Sequence, residues 1–398
     1  MKTHPLVESI DRARLADDLW RLVNIPSPTR HERDVAMAFA EMLEKAGAEV
    51  RLDERIPDSP NVIGRLRGAR PGRTLQLAGH MDHIDIPHPP PQRSDEVISG
   101  RGSADMKCGL AAVLEVVRLL SESGRDFPGE ILVTTYGLHE APHGDSRGLL
   151  NLIDDEILGH AALVFEGRNA TQCENIVAGK GQSIWNVKIT RPNEACHELH
   201  RDDRADDLLA GCREVIGTLE TERSRLHSES HAHPLLGRES LFVGQVHYGD
   251  FYNRAPSVCT LQGTRRWNPQ NNFDAVRREF SEFLNGIELP AGLSIESDWI
   301  FVGESYAVQP DEPIIQAFQS ACRSLLDTEA QYIGTLGVLD GSRLVPLGHI
   351  PIAACGLGGE GGHADYEFVP LDEMHRCCGV AVQTVLNYLE TQEADHGK

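Results

Sequence analysis

Basic residues are scarce in this chain. Lys and Arg number 38 against 60 Asp and Glu, which leaves a formal net charge of −22 over 398 residues. That balance argues against nucleic acid and anionic membrane as partners, because both are bound through clustered positive charge. It says little about a substrate, since acidity spread over a whole surface serves solubility. Long hydrophobic runs are missing as well: none approaches the ~20 residues of a membrane span. The opening MKTHPLVESIDRARLADDLW has no apolar stretch of the kind a signal peptide needs. The nine cysteines form no C-x-x-C pair, and Cys377 and Cys378 are merely adjacent. Free thiols in a reducing cytoplasm are therefore expected, not a disulfide framework. What remains, 40% hydrophobic and 25% charged residues, describes an ordinary globular protein. Its length exceeds one typical core, so two domains are expected.

The chain is organised around Leu75 to Leu120. Leu75–Ala78 reads as a buried strand that stops at Gly79, with His80 and Asp82 projecting from its carboxyl end as alternate residues on one side. In open α/β sheets ligands gather at that end. Asp105 lies just before a helix whose Leu110, Val113, Leu114, Val117 and Leu120 recur at helical spacing. A carboxylate there is placed to bind a cation, and a His held by a nearby Asp is an oriented metal ligand.

Around this stretch the pattern predicts helices at 9–22 and 31–47, strands at 49–53 and 61–67, and a turn at 68–72. A stiff loop at 87–92 carries His88; His83 and His88 are expected near solvent or behind the ligands. A strand at 130–136, a helix at 149–157 and a strand at 161–165 ending at Glu166 follow. From about Gly179 the order is strand 183–190, helix 204–226, strands 240–248 and 257–265, helix 273–285 and a last strand, an α+β sandwich. Helices at 313–326 and 371–389, with strand material at 332–340 and 350–355, complete the chain.

Two pattern matches need weighing. His139-Glu140-Ala141-Pro142-His143 fits H-E-x-x-H, but that metal motif needs a helix, which Pro142 and Gly144 forbid. Gly356, Gly358 and Gly361 fit G-x-G-x-x-G, yet the run opens no βαβ unit and no acidic residue follows at the required distance.

Gly79-His80-Met81-Asp82 and Gly100-Arg101-Gly102-Ser103-Ala104-Asp105-Met106-Lys107-Cys108-Gly109 resemble the two signatures of the M20 metallohydrolases. That family includes aminoacylases, glutamate carboxypeptidases, and acetylornithine and succinyl-diaminopimelate deacylases. The resemblance covers nearly the whole chain and is strongest at 79–109 and 356–370. It implies an α/β fold: a mixed-sheet di-metal hydrolase domain, residues 1–178 and 301–398, interrupted at 179–300 by an α+β, ferredoxin-like lid and dimerisation domain. It also implies two divalent metal ions per subunit, bridged by Asp105. His80 and Glu166 complete one site, Glu140 and His363 the other. Such N and O donors suit Zn²⁺, with Mn²⁺ or Co²⁺ also accommodated.

By the same resemblance the lid makes a homodimer, in which His197 reaches the neighbouring subunit's active site; His200 is its rival. Asn253 and Arg266 are expected to hold the substrate's carboxylate, a task suited to the bidentate Arg fork. The chain departs from the family at one place. Where members carry Glu-Glu, general base then ligand, it has His139-Glu140. Glu140 aligns as the ligand and His139 stands in the base's position, with Asp82 beside them in the catalytic set. Neighbours at a strand exit point different ways, so only one of the pair is expected to face the metals as a ligand, and His139 is not expected to be that one.

The reading is hydrolysis of a C–N (amide) bond in a small carboxylate-bearing substrate, an N-acyl amino acid or a dipeptide, through a metal-bridging hydroxide. The alternative is a metal-dependent aminohydrolase of a small aromatic or amidine substrate, with His139 replacing the usual Glu. A non-enzymatic binding protein of the same shape ranks third and a nicotinamide oxidoreductase last. For His139 three roles stay open: it is the base, another group such as His143 is, or the site runs different chemistry.

Overall fold

Near-continuous apolar runs, without alternation, mark strands covered on both faces. Leu75, Leu77 and Ala78, then Ile131, Leu132 and Val133, then Ala162, Leu163 and Val164 are all fully buried. They form the middle of a six-stranded sheet in the computed structural model, which describes residues 3–140, 143–201 and 207–391. Its strands run in the order Glu49–Asp53, Asn61–Arg67, Pro128–Tyr136, Arg70–His80, Ala161–Asn169 and Ile352–Gly356. The first two pairings are antiparallel and the other three parallel. The fold is thus mixed α/β, and four carboxyl ends share one edge.

Contacts divide the chain into two units. One comprises Met1–Val177, Val308–Ile333 and Leu339–Lys398; the other comprises Ala178–Ala307 with Gly334–Val338. The second unit holds an antiparallel sheet in the order 240–248, 258–267, 181–190, 294–303, with helices Asp207–Glu229 and Phe273–Asn285 on it. Trp185, Val187, Val215 and Phe280 form its core. The beginning of the expected helix at 204–206 lies outside the described residues.

Several boundaries differ from the sequence reading. The His80 strand does not stop at Gly79. It spans Arg70–His80, and the expected turn at Arg70–Gly72 is its first part. The next strand likewise continues past Glu166 to Asn169. Of 332–340 only Gln331–Thr335 is strand, and Asp340 instead opens the short helix Gly341–Leu344. Residues Glu174–Gly179 form a strand that was not expected.

Asp105 lies just before the helix Cys108–Glu122, as expected, in a kinked turn at Ser103–Lys107 whose backbone is not helical at Asp105 (φ −124°, ψ 90°). The helix that follows, Cys108–Glu122, is buried on every side, with even Glu115 fully covered and paired to Arg14 and Arg118. The turn has its own anchor. Glu367, 1% exposed, accepts the amides of Gly102 (2.9 Å), Ala104 (2.8 Å) and Asp105 (3.0 Å), and Arg101 Nη1 donates to it at 3.2 Å. Three orphan amides and a buried guanidinium thus converge on one carboxylate from a distant segment. The glycine run that precedes Glu367 allows the approach: a Cβ on Gly359 would lie 2.5 Å from the Cα of Ala104. Gly359 thus serves the packing of one turn on the other.

Glu367→Gln keeps the shape and removes the charge opposite Arg101. It is expected to lower stability by about 3–5 kcal/mol, the usual cost of breaking a buried pair. The urea unfolding midpoint measures this; an unchanged midpoint would show that the anchor carries no energy.

Candidate metal centre

His80 ends its strand fully buried, with Nδ1 donating to the carbonyl of Asp82 at 3.0 Å. That bond leaves Nε2 toward Asp105, whose Oδ1 is 3.1 Å away. The expectation that the Asp82 carboxylate holds His80 needs adjustment: its Oδ1 is farther, at 3.5 Å. The Asp82 carboxylate instead accepts Thr29 Oγ1 (2.9 Å), the His139 amide (3.0 Å) and the Glu140 amide (2.9 Å). It fixes the loop that carries the departing pair. Glu32, fully buried, adds a further clamp by accepting the Leu138 amide at 2.9 Å.

Both members of that pair lie at the same cluster, although neighbours at a strand exit were expected to point different ways. Leu138, just before them, holds a left-handed φ of 61°, so the chain leaves the strand there and does not run on extended. Glu140 Oε1 lies 3.1 Å from His363 Nε2, and the same nitrogen is 3.3 Å from Asp105 Oδ2. His139 stacks on His80, ring centroids 4.2 Å apart and planes within 4°. Its Nδ1 is 3.1 Å from Asp340 Oδ1. His363 stands on the open side, its side chain 54% exposed and its own φ left-handed at 65°. Strain of that kind gathers at functional sites.

Two sets of donors therefore lie close enough to share a cation: His80, Asp105 and Glu140, and His80, His139 and Glu166, the atoms of each within 4.8 Å of one another. The second set fails on geometry as one site. An imidazole lone pair lies in its ring plane, and two parallel stacked rings share no in-plane point. One ion cannot take lone pairs from both His80 and His139 as they stand.

Electrostatics favour cations here. Asp105 and Glu140 push His363 up to about 10. Burial pushes the Glu166 carboxyl up to about 8, with His139 opposing and Asp105 reinforcing. Burial opposes but does not prevent the rise of His80 well above its ordinary value under Asp105 and Asp82. Burial and His80 pull His139 down, yet Asp340 and Glu166 carry it to about 9. The cluster thus demands positive charge, as protons or as metal. Glu166 Oε2 is also buried with no hydrogen-bond partner among the described residues, an acceptor left for a ligand. Imidazole nitrogens with carboxylates fit a divalent metal.

The remaining candidates belong to the second unit. His197 Nε2 and Asn253 Nδ2 are 3.2 Å apart, and His200 lies beside His197 with ring centroids 6.0 Å apart. Arg266 Nη1 donates to the carbonyl of Leu336. In the first unit, His83 and His88 act as braces: His83 Nε2 accepts the Ser27 amide at 3.0 Å, and His88 Nε2 the Glu367 amide at 2.9 Å. No helix begins among the described residues at 137–140; Ala141 and Pro142 lie outside them. Sequence reasoning missed Glu32, Tyr136 and Asp340. Only Asp340 carried a signal, its place in a turn that resembles the family's.

The family description peptidase family M20/M25/M40 matches residues 76–387. A succinyl-diaminopimelate desuccinylase of Maricaulis maris is 24% identical over 382 residues, covering 93% of this chain and 94% of that protein. An N-formyl-4-amino-5-aminomethyl-2-methylpyrimidine deformylase of Halalkalibacterium halodurans is 33% identical over 290 residues, covering 66% of this chain and 65% of its own. A tripeptidase structure from Staphylococcus aureus superposes with a TM-score of 0.74 at 20% identity, over 96% of this chain and 100% of that one. With both signatures, the sheet and the donor cluster in place, the chain belongs to peptidase family M20/M25/M40 and is a metal-dependent hydrolase acting on C–N bonds.

Proposed function

We propose that this hydrolase cleaves the amide bond of a small carboxylate-bearing substrate, an N-acyl amino acid or dipeptide, with His139 as the proton-transfer group. The observation that carries the reading is the position of His139: stacked on His80 beside the donor cluster, with Nδ1 at Asp340. His80, Asp105 and Glu166 are the residues proposed for one ion, and Asp105, Glu140 and His363 for the other. Divalent ions held there, most simply Zn²⁺, with Mn²⁺ or Co²⁺ as alternatives, supply Lewis-acid polarisation of the scissile carbonyl and charge stabilisation of its oxyanion.

The chain's own residues do the rest. With cations in the centre taking the place of the proton that the acidic cluster otherwise draws onto the ring, and the remaining proton on Nδ1, His139 Nε2 would be free to take a proton from the attacking water. As the C–O bond forms and the C–N bond breaks, it returns that proton to the departing nitrogen. Arg266 and Asn253 are proposed to hold the substrate carboxylate. The exposed apolar residues Phe242, Val246 and Tyr248 along an edge strand of the second unit support a homodimer, with His197 lending a donor to the partner's oxyanion.

One observation favours a second reading. An imidazole stands where the family has a carboxylate, which suits an aminohydrolase releasing ammonia from a small aromatic or amidine carbon. A substrate panel read for both free amine and ammonia separates the two; ammonia without amine would sink the amide reading.

Protein purified without chelator is expected to hold more than one metal equivalent, and Asp105→Ala close to none. Elemental analysis measures both, and a dialysis-resistant value of one or less in the wild type would refute the paired site. His139→Ala is expected to retain its metals and lose about 10²–10⁴-fold in rate, the worth of general acid–base catalysis. Full activity in that variant would move the proton transfer to His143 or the second unit. Sedimentation should give twice the 43.8 kDa chain mass; a monomer at assay concentration would end the dimer proposal.

A further inference from the structure

Asp340 is a fully buried carboxylate 201 residues beyond His139, on a separate segment of the larger unit. It precedes the helix Gly341–Leu344 but makes no side-chain hydrogen bond to that helix, so its charge is not spent as a cap. One oxygen lies 3.1 Å from His139 Nδ1. The other accepts the hydroxyl of Tyr136, which ends the strand leading to His139. Arg343 is buried on the same short helix, near enough for its charge to interact with that of Asp340. The far face of the His139 ring is closed by His80. The imidazole thus meets a carboxylate oxygen at one nitrogen, an oxygen with no other hydrogen-bond partner among the described residues, and a stacked ring at one face, and Nε2 is the atom left for chemistry.

We propose that Asp340 is a positioning residue for the reaction: it keeps the His139 proton on Nδ1 and the ring in place, while the Tyr136 hydroxyl fixes the carboxylate. This rests on the reading of His139 as the proton-transfer group. A carboxylate at Nδ1 selects the tautomer whose Nε2 lone pair accepts a proton, a second use of a buried charge that metal binding alone does not require. An amide in its place is able to present N–H to Nδ1 instead and so stabilise the opposite tautomer, which disables a general base without removing it.

The test compares Asp340→Asn, Tyr136→Phe, His139→Ala and the double variant Asp340→Asn/His139→Ala as metal-loaded enzymes. It reads kcat, KM, bound metal equivalents and ¹⁵N shifts of labelled histidine. Asp340→Asn is expected to lower kcat about 10²–10⁴-fold with KM nearly unchanged and metal content at the wild-type value. Its His139 signal, assigned by its loss in His139→Ala, should report a proton moved to Nε2. In the His139→Ala background the Asp340 substitution should cost nothing further, because both act through one imidazole. Tyr136→Phe removes only a hydroxyl and stands in if Asp340→Asn fails to fold; it should cost roughly tenfold in kcat, about one hydrogen bond to a charged group, again only when His139 is present. Losses that multiply in the double variant, lost metal, or an unchanged tautomer with unchanged kcat would overturn the proposal. Full activity in His139→Ala would refute the parent reading and this one together, whereas a dead His139→Ala beside an active Asp340→Asn refutes the positioning role alone.

Discussion

The centre depends on the sharing of Asp105. Its two oxygens face two imidazoles, His80 at 3.1 Å and His363 at 3.3 Å, and each imidazole meets another acceptor as well. Such crowding of acceptors is tolerable only with positive charge among them. Every other feature of the site serves to hold these groups at that spacing against their repulsion. The parallel strands present them at one edge, and the loops are tied down individually.

The ties are themselves buried carboxylates. Asp82 holds the amides of 139 and 140, Glu32 that of 138, Glu367 those of 102, 104 and 105. An ionised carboxylate accepting several amides is among the stronger neutral-to-charged arrangements available, and it gives direction as well as energy. A loop anchored through its amides keeps its side chains free to face the centre. This is how irregular backbone, otherwise the softest part of a domain, positions donors with the accuracy of a strand.

Much of this architecture was legible before any coordinates. The buried strands announced themselves through unbroken apolar runs, and His80, Asp105, Glu140, Glu166 and His363 through two signatures and their order. Strand ends were misplaced because Gly79, lacking a side chain, reads as a turn and Glu166 as a polar end, while their backbones stay in the sheet. The placing of both His139 and Glu140 at the cluster was not legible, since the chain leaves the strand through a left-handed Leu138, a conformation that residue type seldom adopts. The anchor Glu32 was invisible for another reason. A lone acid whose partner lies more than a hundred residues away leaves no period in the sequence.

The anchor of the Asp105 turn has a consequence for the order of assembly. Its acceptor, Glu367, is 262 residues farther along the chain. During synthesis the strands, the long buried helix and the whole second unit emerge before it does. Until then three amides of the turn have no carboxylate to meet, and His363 is also unmade. The apolar sheet has enough contacts to collapse earlier, but the metal-binding geometry waits for this closure across the full chain, whose entropic cost rises only slowly with loop length. Competence to bind metal thus depends on a segment made late, and waits for residues 363 to 367.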